Sequence, residues 1–155
     1  MKPRIILVRQ ARASDLPNIE LQYGPLDNVG DPFCDTSQLT KIRYDWLLVA
    51  EVDGRYAGFL YWHVGKRPFF APRVTRFAHI REAQVVKKFR RQGVGKKPTL
   101  SALRRLKALG IRNVFLATAE TNRVARRLYE SLGFKQYRRQ VHYHLRINGS
   151  SKNDS

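Results

Sequence analysis

The chain has 155 residues and a formal net charge of +18, and 43% of its residues are hydrophobic. This length suits one domain. A chain with this share of hydrophobic residues can build a core, which excludes a disordered basic tail. The single cysteine, Cys34, excludes an internal disulfide framework and a multi-cysteine metal site and favours the reducing cytoplasm. No apolar run approaches the roughly 20 residues that cross a bilayer, and the first ten residues do not resemble a signal peptide, so no membrane partner is expected.

The charge is unevenly distributed. Residues 66–146 hold 22 Lys or Arg and three acids (Glu82, Glu120, Glu130), whereas residues 14–53 hold eight acids and two bases. The first of these regions should attract polyanions, and the second could attract a cation. Solvated helix faces that serve solubility are the alternative explanation for part of the basic excess.

The first half of the chain predicts a strand, a helix and a hairpin. Residues 4–10 are typical of a strand, and Ser14 is the expected cap of a helix that begins near Asp15. Residues 24–35 have two prolines, two glycines and three aspartates without periodicity, which indicates a loop. After a short helix expected at 37–44, residues 46–64 predict an antiparallel hairpin that turns at Asp53 and Gly54.

The second half alternates strands and helices. A basic aromatic loop leads into a strand at 78–86, and a helix follows to about Lys107 with Gly110 as its C-cap. A short strand is expected at 113–118, then an amphipathic helix at 122–132. Val124, Leu128 and Leu132 are predicted to share one face of that helix. Residues 136–147 predict one or two further strands. The expected fold class is therefore α/β, a single domain over residues 1–147 with a mixed sheet and helices on both faces, followed by a flexible polar tail at 148–155.

Residues 84–110 carry the clearest functional signal. A strand end leads through a turn with Gly93 and Gly95 into a helix, so unpaired backbone N–H groups and the positive helix dipole point at one place. Arg90, Arg91, Lys96 and Lys97 add side-chain charge around that place. Such an arrangement binds an anion, most often a phosphate. The residues alone therefore predict a phosphate-binding turn.

Two segments resemble the GNAT N-acetyltransferase family. Residues 90–95 (RRQGVG) fit its Arg/Gln-x-x-Gly-x-Gly/Ala turn, and residues 122–134 (NRVARRLYESLGF) fit its Asn-x-x-Ala-x-x-Leu-Tyr-x-x-x-Gly-Phe element. The two occur in the family's order, and residues 8–19 resemble its first strand and helix. The resemblance covers nearly the whole chain up to residue 147. It implies a mostly antiparallel sheet whose fourth and fifth strands splay apart.

The resemblance also implies acetyl-CoA as the acetyl donor. Its pyrophosphate would lie on the turn at 91–96, its pantetheine arm would pair with the strand end, and an N–H of Val85 or Val86 would polarise the thioester carbonyl. Tyr129 matches the family's general acid. Asn122 matches a cofactor contact, although a plain N-cap explains it about equally well. The full set of implied cofactor-binding residues is Gln84, Val85, Val86, Arg90, Arg91, Gln92, Gly93, Val94, Gly95, Lys96, Asn122 and Arg126.

Pro98 departs from the family pattern. It lies three residues after Gly95, where the family has an unbroken helix, and a proline there is harmless only within the first helical turn. Either the helix starts late or its first turn is distorted.

Glu82 is the candidate general base. An amine acceptor must lose a proton before it attacks, and alternation places Glu82 on the same strand face as Gln84 and Val86. An ion pair of Glu82 with Arg81 or another arginine is the competing explanation. A base acting through water, or no dedicated base, also stays open.

Other candidate residues carry weaker signals. His142 and His144 have a spacing that permits a metal pair, but no nearby acid or cysteine completes the ligand set, so no metal is expected. Cys34 lacks an activating neighbour for nucleophilic work. Asp27, Asp31 and Asp35 would suit a cationic acceptor, whereas Arg138 and Arg139 would suit an acidic one. The acceptor is thus an amine on a small molecule or on a protein, at a lysine or an N-terminus.

Three functions are compatible with these patterns. The first is an acetyl-CoA-dependent N-acetyltransferase. The second is a nucleic-acid- or ribosome-associated binding module that uses the basic region and its interleaved aromatics. The third is an inactive cofactor sensor, which Tyr129 disfavours because a non-catalytic binder needs no proton donor. A homodimer is an open expectation.

Overall fold

A computed structural model of the chain describes residues 4–26 and 41–148. It contains five strands: β1 (Ile6–Gln10), β2 (Leu47–Val52), β3 (Arg55–Gly65), β4 (Phe77–Val85) and β5 (Val114–Phe115). It contains three α-helices: α1 (Leu16–Gln22), α2 (Lys96–Ala108) and α3 (Arg123–Ser131). Short 3-10 turns lie at Ala13–Asp15, Tyr44–Trp46 and Lys87–Phe89. No helix within these ranges is long and apolar enough to cross a bilayer.

The strands form one mixed sheet in the order β1-β2-β3-β4-β5. The first three pairs are antiparallel, and β4 and β5 are parallel. Asp53 and Gly54 both have positive φ, 49° and 78°, as the tight two-residue turn between β2 and β3 requires. The predicted hairpin and the α/β fold class are confirmed.

Helices cover both faces of this sheet, because successive residues of β2 point to opposite sides. Leu48 packs in a core with Ala102 and Leu106 of α2. Leu47 and Val49 pack in a second core with Ile19 of α1. The sheet is therefore a buried layer between α1 and α2.

The start of α1 differs from the prediction. Ser14 lies inside the 3-10 turn and is exposed, and the structural carboxylate is that of Asp15. Asp15 accepts a 2.7 Å hydrogen bond from the Arg12 N–H and forms a two-point ion pair with the Arg9 guanidinium, both contacts at 2.8 Å. Arg9 also reaches Glu51 of β2 at 2.8 Å. This network joins β1 and β2 to the start of α1. Asp15 rather than Ser14 is the residue that holds the helix start, because a carboxylate can pair with the Arg9 guanidinium and a serine hydroxyl cannot.

The C-terminal part departs most from the prediction. β5 has two residues instead of six, and residues 136–147 form no strand. An extended segment becomes a strand only when a neighbouring strand takes its N–H and C=O groups, and none in the described ranges does so here. Val124 of α3 is 68% exposed and does not join Leu128 and Leu132, which are half-buried.

Two features of β3 and β4 were not visible in the sequence. The pairing shifts by one residue between Tyr61↔Glu82 and Trp62↔Ile80, so Arg81 occupies a bulge. Near the end of β4, a side chain at Gly58 would overlap the main-chain oxygen of Gln84. Because glycine has no Cβ, Gly58 lets β3 lie against the C-terminal end of β4.

Several predictions fall outside the described residues. Cys34 and the aspartates Asp27, Asp31 and Asp35 belong to this group, as do the tail residues 149–155 and part of the helix expected at 37–44. Of that helix, residues 41–43 are not helical and Tyr44–Trp46 form a 3-10 turn.

Candidate active site

β4 and β5 separate soon after they meet. Their pairing is limited to Ala78↔Val114 and His79↔Phe115, so the β5 side of β4 has no described strand partner from Ile80 to Val85. This confirms the predicted splay. Free N–H and C=O groups on that edge can accept an extended ligand in the way that they would accept another strand.

The Gln84–Gly95 connection bends sharply between β4 and α2. Arg91 has φ of 63° and Gly93 has φ of 79°. Phe89 and Val94 are buried against Ala50, Val52 and Ala57 of the sheet and hold the turn in place. A Cβ added at Gly93 would meet no atom within 4 Å, so the main chain is open to a ligand there. The exposed side chains of Arg90, Arg91 and Lys96 surround the opening.

Gln92 supports this turn from outside. Its side-chain oxygen accepts a 2.7 Å hydrogen bond from Arg4, and its amide nitrogen donates to the Lys88 carbonyl at 3.2 Å. These contacts tie the turn to the N-terminal segment. The role of Gln92 in binding a cofactor stays a prediction.

Pro98 does not distort α2. The helix begins at Lys96 with Gly95 as N-cap, so Pro98 is the third helical residue, within the first turn. The first four N–H groups of a helix have no partner in the helix, so the N–H that proline lacks is not missed. Pro98 is buried, and the Thr99 hydroxyl donates to the Gly95 carbonyl at 2.9 Å. The Lys97 N–H donates to the Gly93 carbonyl at 3.4 Å, so of the first three helical residues only Lys96 has an N–H for which no partner within the turn is seen.

The backbone N–H groups of Val85 and Val86 at the end of β4 point in different directions. The Val86 N–H already donates to the Ala57 carbonyl of β3 at 2.7 Å. Because N–H groups alternate in direction along a strand, the Val85 N–H faces the gap beside β4. The Val85 carbonyl accepts a 3.1 Å hydrogen bond from Arg90 Nε, which holds Arg90 beside that gap.

Glu82 lies at the centre of a small polar cluster on β4. Gln84 Nε2 donates to Glu82 Oε1 at 2.7 Å, as their shared strand face predicts. The general-base interpretation of Glu82 stays a prediction, and so does the ion-pair alternative.

Two tyrosines face this carboxylate. Burial raises the pKa of Tyr129, and the negative charge of Glu82 raises it further. Burial also raises the pKa of Tyr23, with added contributions from the charge of Glu82 and a hydrogen bond to its carboxylate, while Arg81 acts in the opposite direction. Both hydroxyls therefore stay protonated near neutral pH. Tyr129 can donate a proton, and its ring is held edge-on against Phe134 with centroids 5.7 Å apart.

Tyr23 was missed in the sequence. It follows α1, and its ring packs edge-on against Phe59 of β3 at 5.7 Å between centroids. Its only sequence signal was its place before Gly24, which indicates a helix end and no chemistry. Its proximity to Glu82 comes from the packing of α1 on the sheet.

Asn122 and Arg126 have structural partners. Asn122 Oδ1 accepts a 3.2 Å hydrogen bond from the Ala125 N–H and so caps α3, which agrees with the simpler of its two interpretations. Arg126 donates to the Glu120 carbonyl at 3.1 Å and lies 3.9 Å from Glu130. α3 approaches the turn through Leu128, whose Cδ2 would lie 3.4 Å from a Cβ at Gly95.

A groove of about 750 Å³ lies on the far side of β5. Of the expected site residues, Arg126 and Tyr129 line it, and no residue of the turn at 91–96 does. His142 also lines the groove, whereas His144 does not. No group of His, Cys, Asp and Glu in the described ranges could hold a metal ion.

Several curated relatives each match part of the chain. Over 99 residues it is 37% identical to a mycothiol acetyltransferase of Frankia casuarinae, a match that covers 62% of this chain and 29% of that protein. Over 65 residues it is 34% identical to a ribosomal protein bS18-alanine N-acetyltransferase of Haemophilus ducreyi, which covers 42% of this chain and 45% of that protein. The chain spans less than half the length of these relatives.

Solved structures share the fold over nearly the full length. Aminoglycoside N-acetyltransferase AAC(6′)-Iy in complex with CoA has a TM-score of 0.67 at 19% identity and covers 94% of this chain and 98% of its own. Glucosamine-6-phosphate N-acetyltransferase from Arabidopsis thaliana has a TM-score of 0.62 at 20% identity and covers 92% and 99%. The sequence profile of the acetyltransferase (GNAT) family matches residues 15–134. With its splayed strands, glycine turn and family profile, the chain belongs to the GNAT acetyltransferase family.

Proposed function

We propose that this chain is an acetyl-CoA-dependent N-acetyltransferase that acetylates a primary amine by direct attack. The observation that carries the proposal is the cluster of Glu82, Tyr23 and Tyr129 beside the gap between β4 and β5. A carboxylate and two protonated hydroxyls stand there next to an open, basic turn. Family membership and the CoA-bound relative of the same fold support acetyl-CoA as donor.

The residues have distinct roles in this proposal. Acetyl-CoA would supply the activated thioester, with its phosphates at the first turn of α2. Glu82 takes the proton of the bound ammonium, because a primary amine with an ordinary pKa of about 10.4 has no free lone pair at neutral pH. The Val85 N–H donates a hydrogen bond to the carbonyl oxygen as negative charge develops there. The Tyr129 hydroxyl gives its proton to the departing sulfur.

Thermal shift with acetyl-CoA tests the first step. At a hundred times its Kd a ligand adds about 2.7 kcal/mol of stability, which for a chain of this size raises Tm by roughly 5–10 °C. The 3′-dephospho analogue should stabilise less, because it has fewer charges for the basic turn. A Tm that neither compound moves would contradict the enzyme proposal.

The acceptor class is proposed to be a peptide or protein amine. One partial relative is named for acetylating an alanine of a ribosomal protein, and another is an N-alpha-acetyltransferase 30 of Schizosaccharomyces pombe, 36% identical over 71 residues. Glu82 suits a cationic amine, and the exposed arginines Arg138 and Arg139 suit an acceptor that is acidic elsewhere. A cationic small molecule such as an aminoglycoside is the alternative.

A competitive acetylation screen separates these acceptors. Purified enzyme and acetyl-CoA would be given ribosomal proteins, peptides with free N-termini, lysine peptides with blocked N-termini, and aminoglycosides. Mass spectrometry of the products would locate the acetyl group. Preferential acetylation of an aminoglycoside would overturn the protein-acceptor proposal while leaving the transferase proposal intact.

A nucleic-acid- or ribosome-associated binding module is the second candidate function. It is favoured by exposed cations on α2 and the preceding segment, including Lys87, Lys88, Arg104 and Lys107. Binding to RNA through these side chains must weaken as salt rises, because neutralised phosphates release counterions. Replacing Arg104 and Lys107 with glutamate should make the slope of the logarithm of the binding constant against the logarithm of the salt concentration shallower. The change should be about one for each phosphate that is no longer neutralised. A binding isotherm that does not respond to salt rules this function out.

A further inference from the structure

The loop that joins β3 to β4 is basic and contains no acidic residue. Four of its residues are exposed cations: Lys66, Arg67, Arg73 and Arg76. The sequence has no acid between Asp53 and Glu82, and among the described residues no ion pair involves any of these four. The proposed acetyl transfer assigns no role to this charge.

Contacts with β5 and α2 anchor this loop. Phe70 packs edge-on against Phe115 of β5, with ring centroids 5.0 Å apart, and its carbonyl accepts a hydrogen bond from the Tyr137 hydroxyl. Arg76 donates a 3.1 Å hydrogen bond to the Leu109 carbonyl at the end of α2. The cations on both sides of Phe70 therefore extend from a structured surface, which lowers the entropy that is lost when a ligand binds.

Phe69 adds an exposed aromatic ring to this surface. It is 69% exposed and packs edge-on against Phe70, with centroids 5.1 Å apart. The Arg138 guanidinium lies 5.3 Å from the centre of the Phe69 ring and 5.1 Å from that of Phe70. A single exposed apolar side chain is ordinary on a protein surface. A ring that has cations before and after it in the chain and an arginine over it is instead typical of a nucleic-acid-binding surface.

Each part of this surface matches one part of a nucleotide. Arginine presents a planar fork of N–H donors that pairs with phosphate oxygens, and three of the four loop cations are arginines. An exposed ring offers a face on which an unstacked base can stack. Bases within a duplex already stack on each other, so a single strand is the ligand that uses the ring as well as the charges.

A single strand also fits this surface better than an anionic membrane does. A membrane-binding segment embeds a continuous apolar face in the lipid. Within residues 66–76, Phe69 is the one large hydrophobic side chain that is exposed. One ring is enough to stack on a base, whereas it gives no such apolar face.

The loop lies at the opposite end of β4 from the turn at 91–96. The nine residues of β4 separate the two by about 26 Å. Arg112 extends the basic surface at the loop end: it is exposed, and the carbonyl of the next residue, Asn113, accepts a 3.0 Å hydrogen bond from the Ala78 N–H near the start of β4. A ligand on the loop would therefore not compete with acetyl-CoA.

We propose that the loop at 66–76, together with Arg112 and Arg138, binds single-stranded nucleic acid. One base stacks on Phe69, and the phosphates on either side of that base pair with the flanking arginines. This binding site is separate from the basic surface of α2. It does not depend on the proposed acetyl transfer, because none of its residues belongs to the candidate active site.

Fluorescence anisotropy of the full chain with a labelled uridine oligonucleotide of about 12 nucleotides measures this binding. Phe69→Ala should weaken the binding about tenfold, because a base loses its stacking partner. It should leave the salt dependence of the binding constant unchanged. Arg73→Gln should instead make the slope of log K against log salt concentration shallower by about 0.7, the value for one neutralised phosphate of a single strand. With a duplex of the same length, Phe69→Ala should have no effect.

Two control variants locate the site. Leu21→Ala removes another exposed apolar side chain (89%), on α1, and should leave the affinity unchanged. Arg104→Gln removes an exposed cation of α2 and should change the affinity less than Arg73→Gln does. All four variants should keep the Tm of the parent, since each replaces an exposed residue. Parent affinity of Phe69→Ala, or an effect of Arg104→Gln as large as that of Arg73→Gln, overturns the proposal.

Two further ligands separate the possible sources of this chemistry. A thymidine oligonucleotide of the same length should bind as well as the uridine one, because contacts to base and phosphate do not involve the 2′-hydroxyl. A strong preference for one sugar contradicts recognition through base and phosphate alone. Binding to phosphatidylserine vesicles that Phe69→Ala abolishes, without a change in oligonucleotide binding, overturns the proposal in favour of a membrane surface. None of these measurements uses catalysis, so their outcome is independent of the proposed acetyl transfer.

Discussion

The side-chain amide of Gln84 donates a 2.7 Å hydrogen bond to Oε1 of Glu82, two residues away on the same face of β4. Burial raises the pKa of both Tyr23 and Tyr129, and the negative charge of this carboxylate raises it further in each. In the proposed reaction, β4 supplies the base and its support, while Tyr23, which follows α1, and Tyr129 of α3 supply the two hydroxyls.

Glu82→Gln should lower kcat while acetyl-CoA still binds. The amide has nearly the same shape but cannot take a proton, and a general base contributes about 10²–10⁴-fold in rate. Steady-state kinetics with the identified amine and a thermal shift with acetyl-CoA measure the two effects. Glu20→Gln, an exposed glutamate of α1, is the control and should leave both unchanged. Full activity of Glu82→Gln would assign the base to another residue or to water.

Tyr129→Phe should lower turnover by about 10²–10⁴-fold and leave acetyl-CoA affinity nearly unchanged, because the ring contact with Phe134 survives. In the unsubstituted enzyme, burial raises the pKa of Tyr129 above its ordinary value of 10. The Tyr129 hydroxyl thus stays protonated below that pH, and if it is the proposed acid, a pH profile of kcat should show no loss from this group up to about pH 10. Equal losses of turnover and affinity in Tyr129→Phe would mean that the hydroxyl has only a packing role.

Tyr23→Phe should reduce kcat with little change in KM for acetyl-CoA, because Tyr23 acts by positioning Glu82. A hydrogen bond to a charged group is worth about 1.5–3 kcal/mol, and because Gln84 still holds the carboxylate, a loss of about tenfold is expected. Tyr56→Phe is a matched control: its hydroxyl donates a 2.6 Å hydrogen bond to Gln22, and its pKa is raised by burial and by Asp15, with no contribution from Glu82. That change should affect stability and spare kcat. If the two variants have the same kinetic profile, Tyr23 has no special connection to the reaction.

Asp15→Asn should destabilise the fold by about 2–4 kcal/mol, because it leaves the partly buried Arg9 with a weaker partner. Hydrogen bonds from the Arg9 guanidinium hold the pKa of Asp15 below its ordinary value of 3.8. The stabilisation is therefore fully present above that value and is lost as pH falls through the lower pKa of the folded state. Urea unfolding at pH 7 and at progressively lower pH should show the difference between variant and parent shrinking.

Asp45→Asn provides the comparison for that experiment. Arg43 and Asp45 also form a close ion pair, at 2.7 Å, but both side chains are about half exposed. An exposed pair contributes about 0–1 kcal/mol, so this change should have a small effect at every pH. A large cost here, or none at Asp15, would contradict the assignment of stability to the buried network.

Gly58→Ala should destabilise the protein strongly, because the new Cβ would overlap the main-chain oxygen of Gln84 on β4. Overpacking of this kind costs about 1–3 kcal/mol or more. Gly95→Ala should cost about 1 kcal/mol or less, since its Cβ would lie 3.4 Å from the flexible end of Leu128 and φ is −72°. It should instead weaken acetyl-CoA binding. Equal Tm values for the two variants would show that β3 and β4 can move apart at low cost.

The elements whose order depends on local pattern were predictable from the sequence. The hairpin turn at Asp53 and Gly54 requires positive φ, and so do the helix ends at Gly110 and Gly133. The residue types at these positions indicate both the turn and the helix ends. Glu82 and Gln84 share a face because strands alternate. The glycine turn before α2 and the place of Tyr129 in α3 followed from short motifs, whose geometry is local.

Long-range packing decided the rest. Only the approach of α1 to β4 brings Tyr23 to Glu82, since their separation in the chain is 59 residues. The register of β3 against β4 determines that the Val86 N–H is hydrogen-bonded to β3 and that the Val85 N–H points into the gap between β4 and β5. Asp15 replaced Ser14 at the start of α1 because Arg9 and Glu51 are its neighbours in space. Residues 141–147 have the alternation of a strand, yet alternation specifies only which side chains share a face, and the neighbour that completes a strand is a property of the tertiary and quaternary structure.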